Sequence, residues 1–157
     1  MKEQGVTILE LLVVLLVIAL VMAVTYPALS RSSASLHLRS CSRDVINVFR
    51  YARERAVTEQ TGMMVTVDKE KQELILSNSI GDGARTYTLP RDVRIYRAAL
   101  AGNEVLNGPL IVRYLPNGSS DRAELLLKSD SGALIEIGTD PITGGARLES
   151  DHGADFR

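Results

Sequence analysis

The chain is short of the residues from which most catalytic and cofactor sites are built. A single cysteine, Cys41, leaves no internal disulfide and no cysteine-cluster metal site. The two histidines, His37 and His152, lie far apart, and neither a Cys/His nucleophile pairing nor a glycine-rich phosphate loop ahead of a helix accompanies them. Tryptophan is absent and phenylalanine occurs twice, so no aromatic platform for single strands is expected. A net charge of −1 makes no whole-chain case for nucleic acid or an acidic substrate. Fewer than 100 of the 157 residues follow Thr61, enough for one modest core and too few for a cleft between two domains. No catalytic residue, cofactor or metal site is expected.

What the chain does have is a long apolar run. Every residue from Leu11 to Val24 is apolar, and the stretch from Val6 to Tyr26 is long enough to cross a bilayer core as a helix. It is apolar all round, which suits lipid better than the surface of a domain. A secretory signal peptide would need a basic start and a small-residue cleavage site beyond the run. Here Lys2 is offset by Glu3, and only Ala23 and Ala28 offer weak candidates for such a site. A plain membrane anchor leaves Glu10 unexplained. A carboxylate inside a spanning helix costs roughly 2–3 kcal/mol at mid-helix and less near an end. Such a residue either has a task or sits close enough to the interface to stay hydrated.

Its neighbours bear on that choice. Gly5 precedes Val6-Thr7-Ile8-Leu9-Glu10, and the apolar run follows at once. This resembles the prepilin leader, in which a short polar leader ends in Gly, an apolar residue follows, and Glu stands fifth in the mature chain. The resemblance implies cleavage between Gly5 and Val6 by a prepilin peptidase, N-methylation of Val6, and an assembly role for Glu10. Val6 is a departure, since Phe or Met is commoner there. The methylated terminus keeps its positive charge, and pairing it with a carboxylate removes most of the cost that each charge meets in lipid. Val6 and Glu10 share a helix face at i, i+4, so the pair can form within one helix or between neighbouring subunits.

Tyr26-Pro27 closes the apolar run. Proline removes a helical hydrogen bond, so a kink is expected at Pro27, either as a point of loosening on assembly or as a simple membrane-boundary proline. From Arg31 to Thr61 the pattern continues as an amphipathic helix. Leu38, Cys41, Val45, Val48/Phe49, Ala52 and Ala56 recur every three or four residues, and arginines fill the other faces. Six Arg against three acids at 31–60 read as a solvated face that meets other subunits, with a patch for DNA or anionic lipid as the competing reading. Cys41 falls on the apolar stripe and reads as a small core residue. Thr61-Gly62 supplies the stop.

Beyond Gly62 the pattern becomes one of short strands. Met63–Asp68 and Glu73–Ser77 flank a polar turn, and Arg85–Leu89 and Val93–Ala99 surround Pro90. Leu110–Tyr114, Glu124–Lys128, Leu134–Gly138 and Ala146–Glu149 complete seven or eight antiparallel strands. One or two sheets packed on the second half of the helix make an α+β arrangement. Tyr51-Ala52-Arg53-Glu54-Arg55-Ala56-Val57, Leu115-Pro116-Asn117-Gly118-Ser119-Ser120 and Gly138–Leu148 are similar to the minor pseudopilin H family of type II secretion systems and to related type IV minor pilins. That resemblance implies a pilin-like fold with a leader at 1–5, a transmembrane segment at 6–27, an amphipathic segment at 28–61 and a periplasmic head at 62–157. It also implies an inner-membrane subunit whose partners are the prepilin peptidase, membrane lipid and other pseudopilins or pilins of a filament.

Two head features invite other readings. Asp151, His152 and Asp155 cluster at the C-terminus, where a cation is one reading and a frayed, hydrated tail the other. DNA-binding relatives carry a Gly-Arg-x-Arg element near the C-terminus. The comparable Gly145-Ala146-Arg147-Leu148 has one arginine, followed by Glu149, Asp151 and Asp155, which repel phosphates. Nucleic acid is therefore not an expected partner. In a gel-shift assay residues 30–157 should show no tight, salt-sensitive DNA binding.

Overall fold

The computed structural model describes residues 8–152, with the side chains of 24–34 and of His152 outside what is described. One helix, α1 (Ile8–Thr58), is followed by nine strands. The chain divides into two units, Met1–Ser33 and Ala34–Arg157.

The strands build two antiparallel sheets. The first holds β1 (Met63–Asp68), β2 (Glu73–Asn78), β3 (Arg85–Thr88) and β6 (Leu110–Tyr114), in the order β3-β2-β1-β6. The second holds β4 (Val93–Leu100), β5 (Asn103–Glu104), β7 (Ala123–Ser129), β8 (Leu134–Thr139) and β9 (Ala146–His152), in the order β5-β4-β7-β8-β9. The arrangement is the expected α+β one. Strand alternation supplies the core: Met63, Val65 and Val67 point in from β1, Leu110, Val112 and Tyr114 from β6, and Leu125 and Leu127 from β7. They meet Leu38, Cys41, Val45, Val48, Phe49, Ala52 and Ala56 of α1, so the helix stripe and both sheets share one core.

A β-bulge protects that core. In β4, Val93 and Ile95 face inward, and strict alternation would bury Arg97 next. The register with β7 instead shifts between Ile95 and Arg97, with Tyr96 as the extra residue. Arg97 is thereby turned to the outer face, where its guanidinium reaches Glu136 Oε1 at 3.1 Å, and Ala98 takes the inward place. A second shift in the pairing of β8 with β9 leaves Glu149 unmatched and sets Ser150 Oγ 3.1 Å from Glu136 Oε2.

Beyond one-residue shifts at strand ends, the structure differs from the sequence reading in three places. The helix ends at Thr58, and its stop is Gln60 in the left-handed region (φ 50°) with its amide donating to the Val57 carbonyl at 2.6 Å, in place of Thr61-Gly62. Strand β5 is additional, since two polar residues carry no strand pattern. Strand β9 runs three residues past Glu149, because Asp151 is held by Arg39 at 3.1 Å and so belongs to an ordered edge where a frayed tail was one expectation. Among the described residues no group of three His, Cys, Asp or Glu is placed to hold a metal ion. Asp155 lies outside the described residues.

Phe49 is fully buried at the centre of the stripe. Phe49→Ala should lower stability by about 3–5 kcal/mol, read as a lower midpoint in urea unfolding of the head.

Candidate functional site

The most conspicuous surface of the chain is the start of α1. All described side chains from Ile8 to Ala23 are exposed, and apart from Glu10 they are apolar. An apolar surface on every side of a helix is one that lipid or other helices must cover. Among the described residues no helix is long and apolar enough to cross a membrane. The described apolar side chains run only from Ile8 to Ala23, short of the ~20 residues a bilayer core requires, while the segment expected to cross is 6–27. Glu10 lies on α1 and is exposed. Gly5 and Val6 lie outside the described residues, as do the side chains of Arg31 and Pro27. Pro27 falls inside the span of α1.

Within the head, two pairs fasten the base of the helix to the sheets. His37 Nδ1 lies 2.8 Å from Asp92 Oδ2 in the turn before β4, and Arg39 meets Asp151 of β9. Both pairs are largely exposed and each contributes little alone. Cys41 lies beside the first of them. Burial, with the carboxylates of Asp44 and Asp92 nearby, pushes its thiol up to about 11, which keeps it neutral and unreactive.

At the other end of the head, two of the turns noted in the sequence close against each other and against the helix. Ser120 N–H donates to the Pro141 carbonyl at 3.2 Å, and its hydroxyl to the Asp140 carbonyl at 3.3 Å. Arg53 Nε donates to the Gly118 carbonyl at 3.4 Å. Asp140 caps its own turn by accepting from the amides of Ile142 and Thr143, and these bonds hold its carboxyl below the usual range. The contact between the turns explains two glycines. Gly118 and Gly144 are buried with φ of 87° and 64°, and a Cβ on Gly144 would strike the Gly118 carbonyl. Beneath them Tyr114 is fully buried, and burial raises its phenol well above the usual tyrosine range while the charge of Arg53 opposes the rise. The sequence identified both turns but not their contact, which no local pattern records.

Comparison with known proteins bears on both the N-terminal segment and the head. Residues 1–26 match the family model described as the prokaryotic N-terminal methylation motif. No curated protein matches the sequence. Among solved structures, the chain is similar to the minor pseudopilin EpsH from the type 2 secretion system of Vibrio cholerae. The identity is 12%, the match covers 73% of this chain and 97% of that one, and the TM-score is 0.56. It is also similar to the type IV minor pilin FimU of Pseudomonas aeruginosa, at 18% identity over 72% of this chain and 88% of that one, with a TM-score of 0.50. The fold is therefore that of pseudopilins and pilins, joined to a prepilin-type methylation motif.

Gly144→Ala should cost roughly 1–3 kcal/mol and speed amide exchange at Ser120, whose bond to Pro141 depends on the close approach of the two loops.

Proposed function

We propose that this chain is a structural minor pseudopilin of a type II secretion pseudopilus, placed near the filament tip and supporting protein export across the outer membrane. The observation that carries the reading is the joining of two features in one chain, a methylation motif over residues 1–26 and a head with the pseudopilin fold. A prepilin peptidase cuts between Gly5 and Val6 and methylates Val6. Residues 6–27 then lie in the inner membrane, Pro27 gives the helix a point of loosening, 28–61 form the stalk, and the head from 62 stands in the periplasm. Glu10 selects the stagger between helices by pairing with a methylated terminus, since a charge left alone among apolar helices is costly. No cofactor enters this role.

A minor pilin of a type IV pilus, serving assembly, adhesion or DNA uptake, is the second reading, and the likeness to FimU supports it. Both roles use the same leader and helix. Deletion of the chain separates them: the leading reading expects loss of exoprotein from the medium with surface pili intact, and the second expects the reverse.

The assembly role of Glu10 has its own test. Glu10→Val should still be cleaved after Gly5 and methylated at Val6, as read by mass spectrometry, yet be absent from sheared filaments. Incorporation at the normal level would remove Glu10 from the mechanism.

A further inference from the structure

A groove of about 510 Å³ runs along the head between α1 and β3. Its floor is apolar, formed by Val45, Val48, Leu74 and Leu89, all buried. One wall is the helix line that carries Asp44 and Tyr51, and the other is the chain from Tyr87 to Pro90. Strand β3 is the edge of its sheet, pairs with β2 alone, and has all four residues exposed. Its second edge therefore presents unpaired backbone groups directly beside an apolar trough.

Elsewhere in the head an open edge is covered. The amide of Ile95 in β4 donates to Gln72 Oε1 at 2.6 Å, so a side chain from the other sheet occupies that position. The described hydrogen bonds give β3 no such cover, and the strand, four residues long with Arg85 as its one charge, holds neither proline nor bulge.

The groove is also polarised. Asp44, about two helical turns before Tyr51, lines the groove and enters none of the ion pairs among the described residues. At the other end Arg85 lies 5.8 Å from the centre of the Tyr51 ring, which Arg55, itself paired with Glu59, also approaches at 5.9 Å. Strand β3 runs from Arg85 toward Pro90, from the basic end to the acidic one. A strand antiparallel to it would start beside Asp44 and finish beside Arg85.

We propose that this edge and groove take an extended segment of a partner protein, which adds antiparallel to β3. The segment carries a basic residue at its start, apolar residues at alternate positions and an acidic residue at its end. Backbone pairing supplies affinity, and the side chains entering the groove supply specificity. The inference holds for either filament, because it uses only the head.

The probe is the peptide KTVTVTE, with its end-exchanged form ETVTVTK as control, titrated into the full chain in detergent micelles and followed by amide NMR. KTVTVTE should shift the amides of Arg85–Thr88 and of helix residues 41–51, and bind about three- to tenfold tighter than the control. The double variant Asp44→Lys with Arg85→Glu, both exposed positions, should reverse that order, and Asp44→Asn alone should flatten it. Shifts confined to another surface, or none at millimolar peptide, would overturn the proposal. So would an order that the double variant leaves unchanged.

Discussion

Leu38, Cys41, Val45, Val48, Phe49, Ala52 and Ala56 lie along one face of α1, and two sheets close over that face. A helix cannot leave such a stripe in water, and a pair of four- and five-stranded sheets cannot leave their inner faces bare. Each supplies the surface that the other needs. The core is therefore shared, and the register of every strand is constrained by which of its residues must reach the helix. The first residues of the same helix face the opposite requirement. From Ile8 to Ala23 the side chains have no polar face to turn outward, so their surroundings must come from outside the chain.

That shared core makes sense of the irregularities in the second sheet. A strand of uniform alternation through β4 would place a guanidinium among Leu125, Leu127 and the helix stripe, at a cost of several kcal/mol. One extra residue at Tyr96 avoids this and turns Arg97 to Glu136. Glu136 is held in turn by Ser150, which the second bulge brings into register. The two bulges thus serve one polar cluster on the outer face.

How much of this could be read in the sequence follows from the range of each interaction. The stripe on α1 was legible because seven apolar residues at helical spacing leave few alternatives, and the strands because period-two alternation between turn residues is local. The prepilin-type motif was legible for the same reason, its parts standing within a few residues of each other. The end of α1 was misjudged by the weight given to Gly62, when Gln60 takes the left-handed conformation and satisfies it with its own side chain. The order of β9 was underestimated because Asp151, near its end, is held by Arg39, more than a hundred residues away. The trough beside β3 was invisible for a similar reason. It is made by a helix face and a strand edge that are far apart in sequence, and no local pattern records an edge that lacks a partner.

The distribution of charge in the head carries the argument one step further. The arginines of the helix face are not a single patch. Arg39 pairs with Asp151, Arg55 with Glu59, and Arg53 turns to the Gly118 carbonyl. Three of the six at 31–60 are thus engaged in holding the head to its helix or the helix end to itself, so their positive charge is in part locally satisfied. A surface built in this way is not a uniform block of positive charge. What it presents instead are short-range features, namely an unpaired strand edge, a polarised trough and turns locked by glycines. Such features suit recognition of folded protein neighbours by shape and register, which is what the proposed role as a filament subunit requires.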